Sequence, residues 1–96
     1  MNFIQDKNAE TSGTSLYSEM PSVSMDYLCK KFPEAFSEYE EDSEKGYGHQ
    51  HLSFRSSETG KVFTVYTRWG IPRIGAPMWT ASDEEKEAFY RFLISV

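Results

Sequence analysis

Two arginines and two histidines in the middle of the chain have the clearest potential for binding chemistry. Arg68 and Arg73 flank the turn in "RWGIPR", and His49 and His51 alternate in "HQH". A guanidinium group binds carboxylate or phosphate with two parallel hydrogen bonds, whereas two imidazoles on one face of a strand can contribute to a metal site. No third ligand lies near "HQH", so the pattern favours an anion-binding surface and predicts neither a metal nor a cofactor.

The segments that contain these residues alternate polar and apolar side chains, as β-strands do. "HQHLSFR" and "KVFTVYTRW" are joined by "SSETGK", and parity sets their register because core residues are even-numbered in one strand and odd-numbered in the other. A tight turn centred on Glu58 and Thr59 predicts these cross-strand pairs: Leu52 with Val65, Phe54 with Phe63, His51 with Tyr66, and His49 with Arg68.

A second turn, at Gly70 and Ile71, fits type II′ because glycine occupies the first position. Pro72 cannot donate a hydrogen bond to an interior ladder, so the third strand is predicted to be short and at an edge. The pairs that this turn predicts are Trp69 with Pro72, Thr67 with Ile74, and Arg68 with Arg73.

These two registers predict a basic sheet face on the side away from the core, made of His49, His51, Arg55, Tyr66, Arg68 and Arg73. Like charges placed directly opposite each other in a sheet cost about 0.2–1 kcal/mol, so an anion is expected between them. The protein could supply it from residues 38–44, Glu84 or Glu87. An external carboxylate or phosphate is the other interpretation.

A helix is predicted before the strands, starting at Ser22 or Ser24 as N-cap. Its apolar face consists of Leu28, Phe32, Phe36 and Tyr39. Pro33 is expected to kink the helix or to lie in the first turn of a second helix. The opposite side carries an acidic face of Glu34, Glu38, Glu41 and Asp42, with spacings near 5–6 Å along a helix. Such a face could imitate nucleic-acid phosphates towards a basic partner, or it could be an ordinary solvated helix face.

The C-terminal segment "TASDEEKEAFYRFLISV" predicts a second helix. Ser82 and Glu85 form a capping box, and Asp83 and Glu84 suit the first turn. Met78 and Trp79 precede this helix in a loop, where they could be a hydrophobic anchor for a partner or could cover the core.

Charge is distributed unevenly along the 96 residues, whose formal net charge is −5. Residues 1–46 carry ten acidic and four basic groups, and residues 47–80 carry one acidic and four basic groups. Such asymmetry concerns partners more than fold. The single cysteine, Cys29, excludes an internal disulfide and fits a reducing, cytoplasmic location.

The predicted fold is α+β: a kinked N-terminal helix, a three-stranded antiparallel β-meander, and a C-terminal helix packed on one face of the sheet. Residues 1–20 are expected to be a flexible or loosely docked arm, with Phe3–Ile4 or Leu16–Tyr17 as an edge strand, and residues 21–96 a single domain.

The sequence contains no catalytic motif, which favours a small, acidic, non-enzymatic binding protein. Its partner is predicted to be a protein with a basic surface, and an inhibitor of a nucleic-acid-handling enzyme, of the anti-restriction, anti-CRISPR or immunity type, is the specific form favoured. The net acidity disfavours direct nucleic-acid binding, and no apolar segment predicts membrane insertion. The alternative is a ligand- or nucleic-acid-binding module that uses the basic sheet face.

Overall fold

The structure of the protein is a computed structural model that describes residues 2–9, 14–20, 22–38, 47–68, 71–77 and 80–95, apart from the side chains of Tyr17, Glu38, Tyr47, His49 and Arg68. The elements in chain order are β1 (Phe3–Gln5), β2 (Ser15–Glu19), α1 (Met25–Lys31), β3 (Phe36–Glu38), β4 (Tyr47–Ser56), β5 (Val62–Arg68), β6 (Ile71–Ala76) and α2 (Asp83–Ile94). Neither described helix is long and apolar enough to cross a membrane.

The described strands form one antiparallel sheet in the order β1–β4–β5–β6–β2. The short strand β3 pairs with β4 on the same edge as β1, next to residues 50–52, while β1 pairs with residues 54–56. The described part of the chain is therefore mostly sheet with two helices. The prediction of a three-stranded meander between a kinked N-terminal helix and a C-terminal helix is wrong, because three further strands extend the meander of β4, β5 and β6 at both edges.

Pro33 ends α1 where a kinked continuation was predicted. The helix starts after Ser24, whose Oγ accepts a hydrogen bond from Tyr27 N, and it ends at Lys31. Phe32 has φ −125° and ψ 64°, outside the helical region, since a proline disfavours the helical conformation of the residue before it. The chain then turns and enters β3, so the apolar residues at helical spacing are divided between a helix and a strand.

The N-terminal residues supply two of the additional strands, β1 and β2. Phe3 shows why β1 docks. Its ring is 7% exposed and makes edge-to-face contacts with Phe63 and Phe89, with centroid distances of 5.3 and 5.1 Å. Burying an aromatic side chain contributes about 1.5–3 kcal/mol, which holds a strand of three residues to the sheet.

The register predicted for β4 and β5 is confirmed where it concerns the core. Leu52 pairs with Val65 and Phe54 with Phe63, and all four side chains are fully buried. Gly60, at φ 75°, closes the connecting turn in the left-handed conformation that glycine adopts without strain. Both helices cover this face of the sheet, contributing the buried side chains Leu28, Phe89 and Leu93.

The opposite face of the sheet, here called the reverse face, is also partly covered. Ser53 and Thr64 are paired on it and only 1% exposed. At Gly75, opposite Thr64, a Cβ atom would lie 2.5 Å from Thr64 Oγ1 and 3.7 Å from Thr14 Cβ. Thr14 therefore packs against this face, and position 75 has room for no side chain.

Candidate functional site

One polar residue from each of five strands forms a row across the reverse face. This polar row consists of Ser37, His51, Tyr66, Arg73 and Glu19, from β3, β4, β5, β6 and β2, each paired in register with the next. Side chains directly opposed across antiparallel strands share a face, with Cβ atoms about 4.5–5.5 Å apart. The structure thus contains this polar row where a row of arginines was predicted.

The two arginines of the predicted row are not directly opposed. β5 and β6 pair Arg68 with Ile71 and Tyr66 with Arg73, a register two residues away from the predicted one. The prediction that Arg68 faces Arg73 is therefore wrong. The like-charge pair that demanded an anion does not exist in that form.

Core packing explains this register. Ile74 pairs with Val65, and both side chains are fully buried, whereas the predicted register set Ile74 against Thr67. A register that matches two aliphatic side chains in the core is strongly specified. Its contribution exceeds the preference for a glycine at the first position of the turn.

Arg73 is neutralised by a carboxylate of the protein itself. Its Nη2 lies 3.0 Å from Oε1 of Glu19, the residue opposite it on β2. The Arg73 side chain is 15% exposed and that of Glu19 43%, so solvent screens the pair only in part. The carboxylate was expected from residues 38–44, Glu84 or Glu87, and that prediction is wrong for Arg73.

Arg55 is neutralised in a similar way at the other edge of the sheet. Its Nη2 forms an ion pair with Oδ2 of Asp6, just after β1. The backbone N–H of Asp6 donates to Ser53 O at 3.0 Å, so the sheet ladder itself holds the carboxylate beside Arg55. The two described arginines of the sheet thus each contact an acidic residue from the N-terminal strands or their ends.

His51 is half-buried in the polar row. Its Nδ1 lies 3.3 Å from Ser53 Oγ and 3.5 Å from Ser37 Oγ, and burial lowers the pKa of His51 below its usual 6.5. The imidazole is therefore neutral at physiological pH and acts as a hydrogen-bonding group between β3 and β4.

His49 is not opposite Arg68 as predicted. The ladder between β4 and β5 is irregular between Tyr47 and His51, and Tyr47 pairs with Arg68. From one pair to the other, β4 advances by four residues and β5 by only two, so β4 contains a bulge. Strict alternation does not continue through "HQH", and within the described part of the chain no three His, Cys, Asp or Glu residues are grouped so as to hold a metal ion.

The predicted acidic face does not lie on one helix. Glu34 is exposed in the turn after α1, where its backbone N–H donates to Gln5 Oε1 at 3.0 Å. Glu38 belongs to β3, paired with Gln50. The helical spacing that would imitate phosphates is therefore absent between these two residues, because α1 ends before Pro33.

Four predicted site residues lie outside the described ranges: Glu41 and Asp42 of the acidic face, and Met78 and Trp79 of the hydrophobic anchor. Cys29 is described and partly buried beside the core. Burial, followed by the charge of Asp26, raises the pKa of the Cys29 thiol. The thiol is protonated at neutral pH and is a poor nucleophile.

A partly buried ion pair joins α2 to the residue just before β5, and no pattern in the sequence indicated it. Lys61 Nζ lies 2.8 Å from Glu85 Oε1 and 2.6 Å from Thr80 O. Glu85 also completes the capping box with Ser82, which confirms that prediction. The hydrogen bond from Lys61 is the main cause that holds the pKa of the Glu85 carboxyl below its usual 4.5, against the opposing effect of burial.

Lys31 joins the two helices. Its Nζ donates to Leu93 O at 2.9 Å and to Ser95 O, so the last turn of α1 places a cation at the C-terminal end of α2, where the helix dipole favours it. The same Nζ lies 5.6 Å from the ring centroid of Tyr27. Lys31 is thus engaged inside the molecule rather than offered to a partner.

Comparison of the chain with protein-family models, with curated proteins and with solved structures finds no match. The function is therefore argued from the sequence and from the arrangement of these side chains.

Proposed function

We propose that this chain is a small, acidic, non-enzymatic cytoplasmic protein that binds a protein partner with a basic surface. The observation that supports the proposal is the internal pairing of the basic residues of the sheet. Arg73 is bound to Glu19, Arg55 to Asp6, and Lys61, just before β5, to Glu85. These cations are neutralised within the fold, so an anionic ligand of the sheet would have to compete with carboxylates already in place.

The acidic excess, by contrast, is left on the surface. Within the described ranges, four exposed acidic residues make no ion pair: Asp26, Glu34, Glu58 and Glu84. Only two exposed lysines of the described ranges, Lys7 and Lys30, likewise make no ion pair. Carboxylates that remain solvated steer a basic partner and raise its association rate.

The segment after β3 adds further acidic residues. Glu40, Glu41, Asp42 and Glu44 follow Glu38 in the sequence, so six of the eleven residues 34–44 are acidic. An enzyme that handles nucleic acids has the kind of basic channel that such a segment would complement. Inhibition of such an enzyme is the specific form of the proposal.

The alternative, a ligand-binding module on the reverse face, meets a physical obstacle. A phosphate or carboxylate approaching Arg73 would have to displace Glu19, and one approaching Arg55 would have to displace Asp6. Each displacement would leave a carboxylate close to the new anion. The geometry therefore favours contact through the acidic surface.

Two variants separate these functions. The first variant reverses three acidic charges (Glu34→Lys, Glu41→Lys and Asp42→Lys). The second exchanges the two members of an ion pair (Glu19→Arg with Arg73→Glu). This exchange keeps the net charge and the ion pair but moves the guanidinium group to β2. Capture of partners from the native cytoplasm is compared for both, at low and high salt. Salt-sensitive capture of a basic protein that the first variant loses and the second keeps is the expected result. Loss in the second variant alone would contradict the proposal.

A further inference from the structure

Two adjoining depressions run along one flank of α2. The larger, of about 410 Å³, is lined by Asn2, Ala88, Arg91, Phe92 and Ser95. The smaller, of about 170 Å³, is lined by Glu84, Glu87, Ala88 and Arg91. Both depressions are lined by Ala88 and Arg91, so they adjoin. Together they are here called the α2 groove, which is open to solvent and is lined by residues from Glu84 to Ser95.

The helical spacing of α2 explains why a groove forms there. Glu84, Ala88 and Phe92 follow one another at intervals of four residues, so they lie in line along one flank. Ala88 has the smallest side chain of this line and leaves a gap between its neighbours. Phe92 is only partly buried, packs against the core and lines the larger depression, so its exposed part provides an apolar floor.

The charges along the groove are negative at its N-terminal end. Glu84 is exposed and makes no ion pair within the described ranges, whereas Glu87 is bound to Arg91, with Oε1 and Nη2 2.7 Å apart. The carboxylate at the start of the groove is therefore available, and the cation in its middle is already compensated. Charge complementarity calls for a basic group opposite Glu84.

We propose that the α2 groove binds a basic amphipathic helix of a partner protein. An apolar side chain of that helix packs on Ala88 and Phe92, and a lysine or arginine one turn away pairs with Glu84. From Glu84 to Ser95 the groove extends about 16 Å, the length of three helical turns, which suits anchors at positions i, i+4 and i+7. This inference rests on the proposed function, because it gives the basic partner a second contact surface in addition to the acidic residues 34–44.

Matched substitutions on the same helix test the site. Glu84→Lys and Asp83→Lys make the same change of net charge in the same helical turn, but only Glu84 lines the groove. Ala88→Trp fills the groove, whereas Tyr90→Trp places the same side chain outside it. All four positions are at least partly exposed, so the substitutions should leave the fold intact. Thermal unfolding of each variant checks that it is folded.

The probes are three helical peptides of equal length: one with lysines and leucines on opposite faces, one with glutamines in place of the leucines, and one with glutamates in place of the lysines. Fluorescence anisotropy measures the dissociation constants. The lysine–leucine peptide is expected to bind best. Glu84→Lys and Ala88→Trp should each weaken its binding about tenfold or more, whereas Asp83→Lys and Tyr90→Trp should change it about twofold or less.

Three results would each overturn the proposal that the α2 groove is the binding site. They are equal effects of the two charge substitutions, an unchanged affinity in Ala88→Trp, and tightest binding of the peptide with glutamates and leucines. Failure of the proposed function has a different signature, because neither lysine-containing peptide would then bind in a salt-sensitive way. If both lysine peptides bind equally well to all four variants, the acidic protein has a basic partner but the α2 groove is not where it docks.

Discussion

The reverse face of the sheet and the outer flank of α2 carry similar charged groups in different arrangements. On the reverse face, Arg73 and Arg55 each contact a carboxylate from the N-terminal part of the chain. On the flank of α2, Glu84 has no such partner within the described ranges and stands at the end of an open groove. Charge on the sheet therefore holds strands together, whereas the carboxylate of Glu84 on the helix is available for binding.

The contrast between these two regions shows that the type of a residue does not by itself indicate a binding role. A guanidinium that is only 15% exposed and held 3.0 Å from a carboxylate is part of the fold, even where the sequence around it suggests an anion site. An exposed carboxylate beside a small residue contributes little to the fold, so its removal should reduce the free energy of unfolding only slightly. Four stability measurements and one binding measurement test this distinction.

The largest effect is expected for Glu85, the one acidic residue of α2 that belongs to the fold. Glu85→Ala removes half of the capping box and leaves Lys61 without its carboxylate. We expect the free energy of unfolding to fall by about 2–3 kcal/mol. Urea denaturation measures the change, and Glu84→Ala is the matched control, with an expected change of about 0.5 kcal/mol or less. Similar losses in both variants would contradict the distinction.

The next largest effect concerns the close contact on the reverse face. Gly75→Ala introduces a Cβ 2.5 Å from Thr64 Oγ1, which should destabilise the protein by about 1–3 kcal/mol through overpacking. Gly60→Ala serves as a comparison, because no atom lies within 4 Å of its added Cβ and only its φ of 75° opposes the change. Adding Thr64→Ala to Gly75→Ala should cost less than the sum of the two single changes. Additive losses would show that the two residues do not crowd each other.

The ion pair of the polar row should contribute less. In a double-mutant cycle of Glu19→Gln and Arg73→Gln, we expect a coupling energy of about 0.5–1 kcal/mol, because Glu19 remains substantially exposed. High salt should reduce that coupling only in part. A coupling energy of zero would indicate that Arg73 is available to external anions after all.

The extent to which the sequence predicts this fold depends on how local each feature is. The capping box of Ser82 and Glu85 spans four residues, and the pairing of Phe54 with Phe63 follows from one short turn, so both could be predicted. The pairing of Arg73 with Glu19 joins residues more than fifty positions apart. It requires knowing that the N-terminal segment forms the strand beside β6, and no local pattern contains that information.

Two of the wrong expectations about the candidate site have specific physical causes. Helical spacing from Leu28 to Phe36 was interpreted as one kinked helix, although the conformation required before Pro33 ends α1. The second turn was placed by the preference of Gly70, although the core pairing of Val65 with Ile74 sets the register. In the first case a steric constraint prevailed over periodicity, and in the second a core pairing prevailed over a turn preference. The α2 groove could have been suspected from Ala88, the one small residue between Glu84 and Phe92.

The smallest expected effect is the pH dependence that His51 contributes. Its pKa is lowered by burial in the folded protein, so the unfolded chain binds a proton more readily between the folded pKa and about 6.5. Stability from this residue is complete above pH 6.5 and decreases as the pH falls towards the folded pKa. His51→Asn should remove this slope from stability measured by urea denaturation at successive pH values. An unchanged slope would assign it to another group.

The most direct test of the central claim is a titration of the isotopically labelled protein with the lysine–leucine peptide, followed by backbone amide chemical shifts. We expect salt-sensitive shift changes at Glu34 and along α2 from Glu84 to Phe92, with Tyr66 and Arg73 unaffected. Shift changes centred on Tyr66 and Arg73, with α2 unaffected, would contradict the central claim and assign the binding surface to the reverse face of the sheet.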